Sequence, residues 1–180
     1  MSAVELSIIV PIYNTQAYLK KCLASLTNQT LSNIEILLIN DGSTDNTLEL
    51  INEWSNRDRR IKVFDQPNSG KPAIARNIGL KNVSGELICF LDSDDVWGVN
   101  KLTDQVSFME SKGIGFSYTN YQQFSLKLGD GVIINSPSYV SYVDMIKCNF
   151  IGCLTVMYDV TAFGKFYFPL TKKRHDFALW

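Results

Sequence analysis

The stretch ELICFLDSDDVW, Glu86–Trp97, contains the two features that decide the fold. Its apolar run, Leu87–Leu91, follows a glycine and ends in charge, which is typical of a short strand buried on both faces. Three carboxylates come directly after it, on Asp92, Asp94 and Asp95. Carboxylates this close repel one another unless a cation lies among them, and a hard divalent ion that brings phosphates with it suits such ligands. An acidic loop that caps a helix is the alternative interpretation.

Three more apolar runs precede this one, and a helical pattern separates each run from the next. Pro11 ends the first run, because proline cannot donate to a strand ladder, and Thr15 is expected to cap the following helix. This alternation predicts an α/β fold with a mostly parallel central sheet covered by helices on both faces. The predicted strands are Glu5–Val10, Ile34–Ile39, Ile61–Phe64 and Glu86–Leu91; the predicted helices run from Thr15 through Leu26, over Thr44–Asn56 and over Pro72–Lys81.

Polar residues follow each predicted strand at the edge where sheets of this class bind ligands. A carboxylate such as that of Asp41 can accept from a base N–H or a ribose hydroxyl, and a metal held by the acid triplet can bridge to a diphosphate. Lys71 and Arg76 add positive charge that suits a phosphate or a base edge. Turn formation by Asp41 and solvation of Lys71 and Arg76 remain open alternatives, but together the clusters predict a nucleotide-diphosphate site. They are Tyr13–Asn14, Asn40–Asp41, Asn68–Lys71 and Asp92–Asp95.

The second half of the chain is less regular. Aromatic and polar residues alternate loosely there, and the last six residues resemble the opening of an amphipathic helix that is cut off, so we expect the natural chain to continue. The predicted elements are a helix over Asn100–Glu110, strands over Gly115–Phe124 and Val132–Ile134 that form a hairpin, a helix over Tyr139–Lys147 capped by Ser138 or Ser141, and a core strand over Cys153–Tyr158.

Composition narrows the functional classes. The chain has 180 residues, 46% of them hydrophobic and 19% charged, with a formal net charge of −1, so nothing favours general nucleic-acid binding. No apolar run approaches the ~18 residues of a membrane span, and the N-terminus lacks the pattern of a signal peptide, so we expect a cytoplasmic protein. The four cysteines and the one histidine lack the spacing of a zinc site, and buried free thiols are expected.

Four motifs, in order, resemble those of the family 2 glycosyltransferases of the GT-A fold. They are SIIVPIYN at residues 7–14, NDGSTD at 40–45, NSG at 68–70 with ARNIG at 75–79, and FLDSDD at 90–95. The resemblance implies that Asp94 binds a Mn²⁺ or Mg²⁺ ion and that Asp92 lies near the ribose or the metal. By the same resemblance, Asp41 and Arg76 hold the base, commonly uracil. The other implied donor contacts are Pro11, Tyr13, Asn14, Lys71 and Ser93.

A late motif completes the resemblance. RHDFALW, residues 174–180, is similar to the acidic motif that opens a helix in this family, although His175 stands where a glutamate is usual. The implied role of Asp176 is general base, which takes the proton of an acceptor hydroxyl and leads to inversion. The resemblance implies one domain, residues 1–180, with a nucleotide-sugar-binding half at 1–98 and an acceptor-side half at 99–180. This half is expected to be truncated at its C-terminus.

The implied function is transfer of a sugar from a nucleotide-diphosphate donor, with UDP favoured, to a sugar or lipid-linked acceptor in surface polysaccharide or glycolipid synthesis. Peripheral contact with the inner face of the membrane would come through the missing C-terminal part. A sugar nucleotidyltransferase is the main rival, but such enzymes carry a Gly- and Arg-rich loop after the first strand. A phospho-receiver domain would have its acid pair there, and a dinucleotide-binding domain its GxGxxG motif. A nucleotide-sugar-binding domain without activity is the remaining alternative.

Overall fold

The computed structural model describes residues 4–124, 131–171, 176, 178 and 179. A six-stranded sheet forms its centre, and a two-stranded hairpin lies beside it. The strands are β1 (Leu6–Ile12), β2 (Ile34–Asp41), β3 (Ile61–Gln66), β4 (Leu87–Phe90), β5 (Phe116–Ser117), β6 (Tyr121–Gln122), β7 (Ile133–Ile134) and β8 (Met157–Asp159). The helices are α1 (Gln16–Thr27), α2 (Thr47–Arg57), α3 (Pro72–Asn82), α4 (Lys101–Lys112), α5 (Tyr142–Lys147) and α6 (Val160–Phe163), with a 3₁₀ turn at Cys153–Thr155.

The order of the central sheet is β3-β2-β1-β4-β8-β5. The first four strands are parallel, and β8 runs antiparallel to both β4 and β5. The chain builds outward from β1 through β2 to β3 and then returns to place β4 on the other side of β1. The strand order therefore reverses between β1 and β4, and in open α/β sheets such a switch point opens a crevice beyond the strand ends.

Both faces of the sheet are covered, as the uninterrupted apolar runs predict. On one face, alternate residues of β1 pack with α1, α2 and α4. On the other, Ile9, Leu37 and Phe90 pack with α3 and with Phe168 from the end of the chain. Gly79 lets α3 approach closely, because a Cβ there would lie 2.5 Å from Cγ2 of Ile9. The helix that carries Arg76 is thus held firmly against the central strand.

A buried carboxylate ties the strands together at the opposite edge of the sheet. Glu35 in β2 accepts from Ser7 Oγ at 2.5 Å, from Lys62 Nζ at 2.6 Å and from the Ser84 amide at 2.6 Å. These partners belong to β1, to β3 and to the segment that enters β4. Burial alone would raise the pKa of Glu35, but the hydrogen bonds from Lys62, Ser7 and Ser84 outweigh it and lower the pKa below its ordinary value of 4.5.

Several predicted elements of the second half were wrong in detail. The single strand predicted over residues 115–124 is two short strands, because the chain leaves the central sheet after Ser117 and pairs again in the hairpin of β6 with β7. The predicted hairpin itself is confirmed. The strand predicted from Cys153 begins only at Met157, because a 3₁₀ turn occupies residues 153–155 and Thr155 Oγ1 donates to the Gly152 carbonyl at 2.6 Å.

Helix starts also differ from the predictions. α5 begins at Tyr142, where Ser141 and Asp144 form a capping box, so Ser141 is the cap. α2 begins at Thr47 instead of Thr44, since the turn before it is closed by a bond from the Thr47 amide to Asp45 Oδ1 at 3.0 Å. Thr15 occupies the N-cap position of α1 without a capping side-chain bond. In the described part of the chain, no helix is long and apolar enough to cross a membrane.

Candidate functional site

A cleft of about 380 Å³ opens at the carboxyl edge of the sheet, beside the switch point. Its walls come from the ends of β1, β2 and β4, from the loop after β3 and from the start of α3. All of the predicted site residues except Asn14 and Asp176 line it. The eight that do are Pro11, Tyr13, Asp41, Lys71, Arg76, Asp92, Ser93 and Asp94. The four loops converge as the parallel arrangement predicts.

Asp41 forms a rigid acceptor at one side of the cleft. Its side chain is only 5% exposed. It accepts from the Ser69 amide and from Ser69 Oγ, each at 2.9 Å, and from Gln66 Nε2. The carbonyl of Asp41 also accepts from Asn68 Nδ2 at 2.9 Å. The residue that follows Asp41 is Gly42, whose φ is +68°. The backbone of residue 68 comes so close to it that a side chain would not fit there. The loop after β3 therefore fixes Asp41 before any ligand binds.

Asn14 joins two loops. Its Oδ1 accepts from the Thr44 amide at 2.8 Å, and its Nδ2 donates to Thr44 Oγ1 at 3.2 Å. Its own amide donates to Ser43 Oγ at 3.0 Å. Asn14 therefore shapes the cleft by holding the loop after β2 against the loop after β1, while Tyr13 beside it is 48% exposed and faces the opening.

Arg76 and Asp92 form an ion pair across the floor of the cleft. Arg76 comes from α3 and its side chain is 8% exposed, while the side chain of Asp92 is 43% exposed. Nη2 of Arg76 donates to Oδ1 of Asp92, and the guanidinium lies 5.4 Å from the centre of the Phe168 ring. Among the described residues, Nε of Arg76 has no hydrogen-bond partner. Burial would lower the pKa of Arg76, but the charge of Asp92 and its hydrogen bond, together with the charges of Cys153 and Asp176, outweigh it and the pKa is raised.

The acid triplet is divided among three environments. Asp92 is paired with Arg76, Asp94 is exposed, and Asp95 is half-buried. Burial, and after it the charges of Asp92 and Asp94, raise the pKa of Asp95 to about 6. The cluster therefore has more negative charge than its one guanidinium compensates, which is the condition under which a cation binds.

The side chains around the cleft determine which kind of metal site it could form. No group of three or more His, Cys, Asp or Glu side chains able to hold a metal occurs in the described ranges. Two carboxylates, Asp92 and Asp94, are available at the cleft, and Mg²⁺ is commonly bound by one or two carboxylates together with substrate phosphates and water. The residues thus fit a divalent ion that arrives with a diphosphate.

Lys71 and Ser93 also line the cleft. Lys71 stands immediately before α3, and its Nζ donates to the Leu170 carbonyl at 3.2 Å in an exposed position. Ser93 is 5% exposed and lies between the two carboxylates in sequence. The only bond described for the Lys71 ammonium joins it to a neutral carbonyl, so an anionic group in the cleft could attract it.

Asp176 lies next to this site without lining the cleft. Its Oδ2 accepts from Asn149 Nδ2 at 3.3 Å, and Asn149 is itself fixed by a bond from the Ile151 amide to its Oδ1 at 3.1 Å. The negative charge of Asp176 is close enough to contribute to the raised pKa of Arg76. His175 and most of the predicted terminal helix lie outside the described residues.

Two residues at the site were missed by sequence reasoning. Phe168 is 2% exposed, packs edge-to-face on Phe90 with ring centres 5.1 Å apart and covers Arg76. Asn77 binds the backbone of Phe168 through both ends of its carboxamide. Asn77 stands in the ARNIG motif, which was a usable signal, whereas no local pattern distinguishes Phe168 from the aromatic residues around it.

The fold and the cleft together define an α/β protein with a polar cleft at the switch point of a mostly parallel sheet, the place where proteins of this class bind their ligands. Comparison with known proteins makes this class specific. The model of the family described as "Glycosyl transferase family 2" matches residues 7–161. The chain therefore belongs to family 2 of the glycosyltransferases.

Individual relatives agree with this assignment. The chain is 40% identical over 174 residues to WfgD of Escherichia coli, a UDP-Glc:α-D-GlcNAc-diphosphoundecaprenol β-1,3-glucosyltransferase, covering 97% of this chain and 67% of that protein. It is 37% identical over 179 residues to the putative teichuronic acid biosynthesis glycosyltransferase TuaG of Bacillus subtilis, covering 97% and 69%.

A solved structure confirms the predicted GT-A fold. S. aureus TarS, residues 1–349 in complex with UDP, superposes with a TM-score of 0.79 at 27% identity. The match covers 97% of this chain and 53% of the TarS chain. The chain thus spans about half of that TarS fragment and roughly two thirds of the two relatives.

Proposed function

We propose that this protein is a metal-dependent, inverting glycosyltransferase that moves a sugar from a nucleotide-diphosphate donor to a hydroxyl acceptor. The observation that supports this most directly is the convergence of Asp41, Arg76, Asp92 and Asp94 on one cleft at the carboxyl edge of the sheet. A UDP-sugar is the favoured donor, because WfgD is named for UDP-Glc and TarS was crystallised with UDP.

We assign the base and ribose of the donor to one part of the cleft and its phosphates to another. Asp41 is fixed by its loop as an acceptor for the base, and Pro11 and Tyr13 line the base and ribose side. Asn14 supports this wall through its bonds to Thr44. At the other end, Lys71 exchanges the Leu170 carbonyl for a phosphate oxygen. An ammonium gains more from an anionic oxygen than from a neutral one, since charge-assisted hydrogen bonds are the stronger kind.

A Mn²⁺ or Mg²⁺ ion would be held by Asp94 and by the carboxylate of Asp92, with Ser93 shaping the turn between them. When bound, it supplies Lewis-acid stabilisation of the leaving diphosphate. Arg76 orients Asp92, because its guanidinium donates to Oδ1 of that carboxylate. A direct contact of Arg76 with the base remains a prediction from the resemblance.

Asp176 acts as the general base. Asn149 holds Oδ2, which leaves Oδ1 to take the proton of the acceptor hydroxyl. The acceptor oxygen then attacks the anomeric carbon as the bond from that carbon to the diphosphate breaks, and attack opposite the leaving group inverts the configuration. The nucleoside diphosphate leaves with the bonding electrons, and the proton stays on Asp176.

The acceptor is a sugar hydroxyl, and a lipid-linked sugar is favoured by the name of WfgD. The name of TuaG likewise favours a role in surface polysaccharide. We assign both halves to one domain, 1–180, because β5 and β8 from the second half complete the sheet begun by β1–β4. Peripheral membrane contact remains a prediction.

Thermal shift with UDP, GDP and ADP, each with and without Mn²⁺, tests the donor site. UDP with Mn²⁺ should raise the melting temperature most. At a ligand concentration 100 times Kd, binding adds about 2.7 kcal/mol to the free energy of unfolding. Asp94→Ala should lose the Mn²⁺-dependent part of the shift. Glu53→Ala, which removes an exposed acid from α2, is the control and should keep it. No shift with any nucleotide diphosphate and metal would reject the donor site.

A further inference from the structure

The segment Phe168–Leu170 is tied to the donor site by three hydrogen bonds. Asn77 Nδ2 donates to the Phe168 carbonyl at 2.9 Å, and the Phe168 amide donates to Asn77 Oδ1 at 2.7 Å. Lys71 Nζ donates to the Leu170 carbonyl at 3.2 Å. The two bonds of Asn77 satisfy both backbone groups of one residue, as a neighbouring strand would, so they fix its position and its orientation together.

This tether determines where the ring of Phe168 lies. The ring is 2% exposed, packed edge-to-face on Phe90 and within cation–π distance of the Arg76 guanidinium. On its other side the guanidinium meets Asp92. Arg76 is thus confined between an aromatic face and a carboxylate. Its Nε has no hydrogen-bond partner among the described residues, so its orientation depends strongly on these two contacts, with the charge of Asp176 as a further influence.

We infer that Asn77 is a positioning residue for the metal–diphosphate part of the donor site. It acts through Phe168 on Arg76, and through Arg76 on Asp92. The inference rests on the proposed function, since it assigns Asn77 to the same site. It does not require Asn77 to touch the donor: the carboxamide is committed to the Phe168 backbone, and Asn77 does not line the cleft.

Two variants remove the tether in different ways. Asn77→Ala removes both bonds. Asn77→Asp keeps an acceptor for the Phe168 amide but sets a carboxylate against the Phe168 carbonyl, and it preserves side-chain volume if the alanine variant does not fold. Asn82→Ala is the matched control. Asn82 lies on the same helix, is exposed, and donates within that helix to the Ile78 carbonyl at 2.8 Å.

Binding of UDP is measured by calorimetry with and without Mn²⁺ on the full chain. In both Asn77 variants, the Kd for UDP with Mn²⁺ should rise about tenfold, because the buried guanidinium loses a well-placed cation–π restraint. Binding of UDP without metal should change much less, and Asn82→Ala should match the unaltered protein. A merely structural loss would weaken both forms of binding alike, and that result would overturn the inference.

A double-mutant cycle tests the route. If Asn77 acts through Arg76, then Asn77→Ala adds no further loss of affinity in an Arg76→Ala background, because the group it positions is gone. Additive losses would overturn the inference while leaving the proposed function intact. Failure of the unaltered protein to bind UDP with Mn²⁺ would instead overturn the proposed function, and the inference with it.

Discussion

Asp92 and Asp94 are alike in chemistry and two residues apart, yet their removal should affect the folded protein differently. Asp92→Ala removes the charged partner of a buried guanidinium, whereas Asp94→Ala removes an exposed carboxylate. Without any ligand, we expect Asp92→Ala to destabilise the protein and Asp94→Ala to leave its stability unchanged. Both should lose metal-dependent UDP binding.

The magnitude follows from the surroundings of Arg76. Its side chain is 8% exposed, and Asp92 is its charged hydrogen-bond partner. Removing one partner of a fully buried pair costs about 3–5 kcal/mol, but a hydrogen bond to a charged group contributes about 1.5–3 kcal/mol. Because the side chain of Asp92 is 43% exposed and water screens it, the lower range applies. We expect a loss of about 2 kcal/mol, or roughly 4–8 °C in melting temperature for a chain of this size.

Asp94→Ala should change the free energy of unfolding by less than about 0.5 kcal/mol, as exposed substitutions usually do. Any effect of Asp94→Ala should be a small gain in stability, because the substitution removes a negative charge that repels the Asp95 carboxylate and contributes to its raised pKa. Urea unfolding at pH 7.5 without nucleotide or metal measures both variants, and far-UV circular dichroism establishes that each is folded. Equal destabilisation by the two substitutions would mean that the Arg76–Asp92 pair does not form in solution.

Two other predictions concern proton transfer and acid stability. Asp176→Asn should lower kcat for release of UDP from a UDP-sugar donor in the presence of an acceptor by about 10²–10⁴-fold and leave UDP binding intact; turnover at the original rate would reject Asp176 as the base. The lowered pKa of Glu35 contributes stability that is present above pH 4.5 and is lost as pH falls below that value through the folded-state pKa. Urea unfolding between pH 7 and pH 3 should therefore show a smaller acid-dependent loss for Glu35→Gln; an unchanged slope would contradict the assignment.

The parallel half of the fold could be predicted because its sequence is locally consistent. Each strand there is an apolar run, each crossover is one amphipathic helix, and buried parallel strands require both. The second half follows no such rule. Whether residues 115–124 form one strand or two depends on β8, which arrives some 40 residues later and pairs with Phe116 and Ser117. Non-local pairing of this kind leaves no trace in local periodicity.

The candidate site was predictable as a set of loops but not as a set of contacts. The topology brings the strand ends together, so Asp41, Arg76 and Asp92 could be placed at one cleft from the sequence. Their partners could not. The contact of Arg76 with the base stays a prediction, but nothing in the sequence indicated that its guanidinium pairs with Asp92 while Phe168 packs on it. The position of Phe168 in turn depends on its hydrogen bonds with Asn77, which lies 91 residues earlier in the chain.

The charge balance around the acid triplet would give a divalent metal ion its place in the proposed donor binding. The three carboxylates of Asp92, Asp94 and Asp95 and the guanidinium of Arg76 leave two formal negative charges at this end of the cleft, which one divalent ion would neutralise. A diphosphate that enters without metal meets this excess directly, and Lys71 alone offers it an exchangeable cation among the described lining residues. In the proposed binding mode, the repulsion would act on the phosphates, while Asp41 would act on the base. Metal and diphosphate should therefore bind together, each raising the affinity for the other by the same factor, as linkage requires.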